Sequence, residues 1–223
     1  TDVRTRRTVA VLSVRNVFGS TCTNNAVSAI RQLHFLSRCQ GRHVAQFIGA
    51  YMVPHEPTKE EDTSTEAKSC VLNSVADLQI VINNPGKPLR YFLGTKLNEW
   101  ASNRIEHAVT LQLFEALAWL HSAKILYLTL NLDSVFWSGS AGVVLCKFGN
   151  CSLAGVAVAA HEMSAPVTDQ RKYLSPRLLD LLESANDAKT LVVDVYDDLY
   201  AAGQIVYDVW AHATKLEMPD YLG

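Results

Sequence analysis

HSAKILYLTLNLDSVF, residues 121–136, with Lys147-Phe148-Gly149 downstream, is the passage from which the architecture is best read. Its first residues close a run, Asn103 to Ser122, that places Ile105, Val109, Leu113, Leu117 and Leu120 on one helical face. Its last residues open a short strand near Val135 to Trp137. A second strand, Val143 to Lys147, follows the hairpin-like turn Gly139-Ser140-Ala141-Gly142. Asn150 to Arg171 reads as irregular. Asp194 to Thr214 reads as a second long helix, apolar nearly all round and therefore expected to be buried.

Upstream, the pattern changes. Thr8 to Val14 is β-branched and apolar, as a buried strand requires. Asn24 and Asn25 offer a cap to a helix over Ala26 to Arg38, with Ile30, Leu33, Phe35 and Leu36 near helical spacing. Val44 to Val53 reads as another strand, and Pro54 to Lys68 as a polar, acidic loop. Cys70 to Asn83 is β-rich and ends in the turn signal Asn83-Asn84-Pro85-Gly86, where a boundary between two lobes fits. Pro88 to Leu97 is a short helix candidate. Strands gathered in the first part and helices in the second predict an α+β fold.

With 223 residues, the chain can bury a sizeable core, and 48% hydrophobic against 19% charged residues is the profile of a folded domain. A net charge of −2 lacks the basic excess of a general nucleic-acid binder. Arg4, Arg6 and Arg7 are the one basic knot, read as a solvated strand edge. No run reaches the roughly 18 apolar residues of a membrane helix. Thr1 to Val14 lacks the apolar stretch of a signal peptide, and a start at Thr1 fits a fragment or a processed product. Cys22, Cys39, Cys70, Cys146 and Cys151 form no C-x-x-C pair, which argues for reduced thiols in an intracellular compartment. A zinc site from Cys146, Cys151 and a histidine would match no common zinc spacing.

In order and spacing these segments resemble a protein kinase. Val9-Ala10-Val11-Leu12 is similar to the strand motif V-A-I-K. Arg42 to Gly49 resembles the end of the following helix and the next strand. Leu78 to Leu93 resembles the strand, hinge and first helix of the large lobe. His121 to Phe136 looks like a helix end and catalytic loop. Lys147-Phe148-Gly149 sits where D-F-G belongs, Ser175-Pro176-Arg177 where A-P-E belongs, and Asp194 to Trp210 resembles the helix beginning D-x-W-S-x-G. The resemblance implies a bilobal fold shortened at both ends, with residues 1–84 as the small lobe and 85–223 as a partial large lobe. The loop is similar in flavour to degenerate pseudokinases of the SCY1-like and nuclear-receptor-binding-protein types.

The same matching implies that the chemistry is missing. No glycine precedes Val9. The phosphate-binding lysine falls on Leu12, its glutamate partner on Gln32, the catalytic aspartate on Thr129, the metal-binding asparagine on Ser134 and the metal-binding aspartate on Lys147. A neutral hydroxyl is a poor base and an ammonium repels Mg²⁺. Each loss removes on the order of several kcal/mol of transition-state stabilisation. Asp133 is the nearest carboxylate that could stand in as base, although the residue it matches normally points away. Lys147 is either a solvated or salt-bridged lysine or a cation that takes a nucleotide phosphate, or an acidic partner, where the metal was.

What the resemblance keeps is structural. Leu36, Phe148 and Tyr127 match three places of the apolar column that runs through both lobes, Tyr127 replacing a histidine. Asp198 matches the carboxylate that accepts backbone N–H bonds from the catalytic loop. Phe136, with Leu12 opposite, is expected to help fill the old cleft. Arg177 replaces the A-P-E glutamate, whose partner would lie in helices absent here, so apolar surface is expected to be exposed for a partner. The function implied is a catalytically inactive scaffold or regulatory subunit acting through protein contacts in a larger complex. The alternatives are an atypical nucleotide-dependent transferase, with Lys147 and Asp133 as its only candidates, and a purely structural subunit. No cofactor is implied, no membrane or direct nucleic-acid contact, and a cytoplasmic location.

Overall fold

The apolar segments near the start of the chain pair into one antiparallel sheet. β1 (Val9–Val14) and β2 (Phe47–Pro54) flank β3 (Ala76–Asn83), in the order β1-β3-β2. In this computed structural model the described residues are 8–15, 17, 23–54, 76–95, 105–163, 168–184 and 189–217. β1 runs against β3 from Val9 opposite Asn83 to Val14 opposite Leu78, and β2 meets β3 with a bulge between Phe47 and Gly49. The central strand alternates as a half-buried strand should, with Ala76, Leu78, Ile80 and Ile82 buried.

Between β1 and β2 lies α1 (Thr23–Arg38), whose Ala29, Phe35 and Leu36 share a core with Ile80 and Ile82. The helix begins at Thr23, so Asn24 and Asn25 lie within its first turn and do not precede it as caps. Its buried residues are Ala29, Gln32, Phe35 and Leu36, and Ile30 is 67% exposed. The polar Gln32 among them is what shifts an apolar-only reading onto Ile30.

The turn after β3 needs its glycine. Gly86 has φ +90°, and a Cβ there would run into the Trp137 carbonyl. The chain continues through β4 (Lys87–Pro88), α2 (Leu89–Thr95), α3 (Ile105–Ser122) and β5 (Ile125–Leu126). β6 (Val135–Ser138) and β7 (Gly142–Leu145) form a hairpin to which β4 adds a third strand. Val109, Leu113, Leu117 and Leu120 of α3 are fully buried. Ala45 N donates to Leu145 O (2.9 Å) and Leu145 N to His43 O (2.8 Å), tying the segment after α1 to β7.

The stretch from Asn150 to Arg171 has more order than its sequence implies. β8 (Ser152–Leu153) pairs with β5, and β9 (Ala157–Ala159) pairs with β10 (Thr190–Val192). One 3-10 turn covers Ala160–Glu162, and a 3-10 helix of six residues covers Thr168–Tyr173. A helix absent from the sequence reading, α4 (Pro176–Glu183), is capped by Ser175 and buries Leu178 and Leu181. α5 (Val195–Glu217) buries Ala201, Ala202, Ile205 and Val209. It is not buried all round: Tyr196, Leu199 and Tyr207 are 50%, 45% and 69% exposed. By helical spacing Tyr196 and Tyr207 lie on the side of α5 opposite its buried Ala202, Ile205 and Val209.

The architecture is therefore mixed α+β, and no helix among the described residues is long and apolar enough to cross a membrane. Arg4, Arg6, Arg7, Cys22, Cys70 and the acidic residues 55–68 lie outside the described residues.

Candidate functional site

The loop between β5 and β6 is shaped by one buried carboxylate. Asp198, in the first turn of α5 and fully buried, accepts hydrogen bonds from Tyr127 N (2.8 Å) and Leu128 N (2.7 Å), and its Oδ2 lies 2.8 Å from His121 Nε2. Leu128 has φ +65°, a left-handed conformation that a leucine adopts only when its surroundings impose it. The Asp198 bond to its amide is one such constraint, and burial of its side chain in the smaller core is another.

Further along, Asn131 Oδ1 accepts from Asp133 N (2.8 Å) and Ser134 N (3.1 Å), while Ser134 Oγ accepts from Asn131 N (2.9 Å). Side chains at both ends thus close the turn, and Ser134 is spent on holding its own loop. Thr129 Oγ1 accepts from Asn150 Nδ2 at 3.3 Å.

The Lys147-Phe148-Gly149 segment is gripped from two sides. Gln32 Nε2 donates to Cys146 O (2.6 Å), and its Oε1 accepts from Phe148 N (2.7 Å). The buried amide thus bonds the main chain on either side of Lys147. From below, Tyr127 Oη accepts from Lys147 N (3.0 Å), and the Tyr127 and Phe148 rings meet edge to face at 5.2 Å. Burial holds the Tyr127 hydroxyl well above its ordinary pKa, so it stays protonated. Leu36, Tyr127 and Phe148 are all fully buried in the same core. A Cβ on Gly149 would collide with the Ser28 hydroxyl, so glycine is what lets α1 approach here.

These elements enclose a cavity of about 300 Å³, and Leu12, Gln32, Thr129, Ser134 and Lys147 all line it. Five positions drawn from β1, α1, the loop and the segment after β7 therefore meet in one place. Leu12 borders this open space. Phe136 lies outside the cavity lining, paired through β6 with Pro88 and Val144 and packed on the main core. Ser28, Asn131, Asn150 and Gln170 join the lining, and nothing in their local sequence singles them out.

Asp133 does not point freely away. Its carboxylate accepts from Arg90 Nε at 2.8 and 2.9 Å and from Gln170 Nε2 at 2.9 Å. Burial alone would raise its pKa, but the hydrogen bonds from Arg90 and Gln170 and the positive charges of Arg90 and Lys147 bring it below the ordinary value. A carboxylate so engaged is a weak base. Lys147 is exposed, and its Nζ makes no hydrogen bond or ion pair among the described residues.

Arg177 has its partners at the start of α5. It binds the fully buried Asp197 through Nε (3.0 Å) and Nη2 (2.9 Å), and pairs with Asp194 at 3.0 Å. Ser175 Oγ completes the arrangement with a 2.5 Å bond to Asp197. Arginine on α4 and carboxylates at the start of α5 thus join these helices without any later element.

Cys39, Cys146 and Cys151 are free and buried, and burial pushes the Cys146 thiol up to about 12. Among the described residues no group of three or more His, Cys, Asp or Glu stands together to hold a metal ion. The chain matches no protein-family model and no curated protein in sequence.

Proposed function

We propose that the chain is a bilobal kinase-like domain that transfers no phosphate and serves as a scaffold or regulatory subunit through protein contacts. The observation that carries this reading is the convergence of Leu12, Gln32, Thr129, Ser134 and Lys147 on one cavity. Those are the positions the resemblance assigns to the phosphotransfer groups, and each holds a residue unfit for that role.

Other features agree with it. A helix lies between the first two strands of the antiparallel sheet, and the Asn83 to Gly86 turn leads from that sheet to the helical part. The exposed Tyr196, Leu199 and Tyr207 offer apolar surface to a partner. The free described cysteines suit a reducing, intracellular compartment, with the cytoplasm the location proposed. Against the transferase alternative stands Asp133, whose carboxylate is held by Arg90 and Gln170.

The test is turnover of γ-labelled ATP with Mg²⁺ or Mn²⁺, in the presence of generic protein substrates. The expected result is no phosphate release or transfer above the blank. Turnover that disappears in Lys147→Ala or Asp133→Ala would refute the proposal.

A further inference from the structure

We infer that the cavity is a seat for a small phosphate-bearing anion, held by Lys147 without a divalent cation. The inference deepens the reading just given and rests on its view of the cavity as a metal-free cleft. Of the fourteen described residues that line it, Lys147 alone carries a formal charge. The nearby Asp133 is outside the lining and already engaged by Arg90 and Gln170. The local field therefore favours a negative ligand.

The hydrogen-bonding groups point the same way. Thr129 Oγ1 accepts from Asn150, so the hydroxyl keeps its own proton for a ligand. The Ser28 hydroxyl makes no hydrogen bond among the described residues. Two hydroxyl donors and an ammonium without a hydrogen bond among the described residues suit the several acceptor oxygens of a phosphate better than the two of a carboxylate. At about 300 Å³ the cavity lies at the small end of ligand pockets, the size for a pyrophosphate or a sugar phosphate. Mg²⁺ has no carboxylate in the described lining to bind, and by neutralising the ligand it weakens the attraction to Lys147.

The experiment is calorimetric titration of the whole chain with sodium pyrophosphate and, separately, ribose 5-phosphate, in EDTA and then in Mg²⁺. The expected result is saturable binding in EDTA that weakens severalfold in Mg²⁺. Lys147→Gln should lose about tenfold or more in affinity with an unchanged melting temperature, and Lys147→Arg should retain binding. Tighter binding of one probe supports the seat and identifies its source as an inorganic anion or a phosphate ester. No saturable binding of either probe, a requirement for Mg²⁺, equal binding of sulfate, or full affinity in Lys147→Gln overturns it. ATP turnover in the same samples would refute the scaffold reading while leaving metal-free binding to stand. Absent binding with absent turnover would do the reverse.

Discussion

Replacing Gln32 by glutamate restores the residue type that the kinase resemblance places there, and it should destabilise the protein in a pH-dependent way. Gln32 is 6% exposed and uses both ends of its amide: Nε2 donates to Cys146 O at 2.6 Å, and Oε1 accepts from Phe148 N. A glutamate of the same shape can still accept from Phe148. Its second oxygen, however, faces the Cys146 carbonyl with no proton between them, and Leu12 supplies no cation opposite. Burial and that carbonyl both disfavour the charged form, so the folded-state pKa of the new carboxyl rises above its unfolded value of about 4.3. Keeping it protonated costs about 1.4 kcal/mol per pH unit above that value, up to about 3.7 kcal/mol at pH 7. Partial ionisation aided by Lys147, which lines the same cavity, makes about 2–4 kcal/mol the expected range. The sign follows directly. The deficit is absent below the unfolded pKa, grows as pH rises through the window up to the folded pKa, and is constant beyond it. Urea unfolding of parent and Gln32→Glu from acid to neutral pH measures this. Gln32→Met is the control: it removes both hydrogen bonds and should give a deficit that does not vary with pH. A deficit for Gln32→Glu that is flat with pH, or below about 0.5 kcal/mol at neutrality, would refute the assigned roles of the two amide atoms.

Asp198→Ala leaves the Tyr127 and Leu128 amides buried without their acceptor, which should cost about 3–5 kcal/mol and lower the melting temperature by about 10 °C or more. A calorimetric shift below about 2 °C would contradict that role. Arg177→Ala leaves the buried Asp197 with Ser175 as its remaining side-chain partner and should cost about 2–3 kcal/mol in urea unfolding. Adding Asp197→Asn should recover part of the loss, because the carboxylate's charge is then gone; no recovery would show that the pair matters little.

The parts of the fold legible in the sequence are those built on apolar period and turn chemistry. β3 shows alternation, α3 carries its core residues at helical spacing, and Asn83-Asn84-Pro85-Gly86 contains the glycine that the positive φ requires. α4 was missed because two turns of helix give too short a pattern, and Leu178 and Leu181 could equally belong to a loop. Ile30 and the outer face of α5 show the converse error: an apolar residue at plausible spacing is not thereby buried. In the site, motif order brought out five cavity positions, but not what holds them. Gln32 reaches Cys146 across 114 residues of sequence, and Tyr127 reaches Asp198 across 71. Polar contacts that span such separations have no local signature, so Gln170 and Arg90 read as ordinary surface residues.

Those long-range contacts also bear on how such a domain would work. The loop is fixed by Asp198 and Asn131, and the segment beyond β7 by Gln32 and Tyr127. Each bond joins protein to protein. The fixing contact from α1 is an uncharged amide, so it does not need a cation on β1 to keep it in place. A site that depended on nucleotide for its order would leave these groups waiting for a ligand. Here they are satisfied by the fold, and ligand binding has little left to reorganise. On the scaffold reading proposed above, the surface offered to a partner is then set when the chain folds. An anion at Lys147 would act as a modest stabiliser of that one state, with mass action setting its effect on melting temperature.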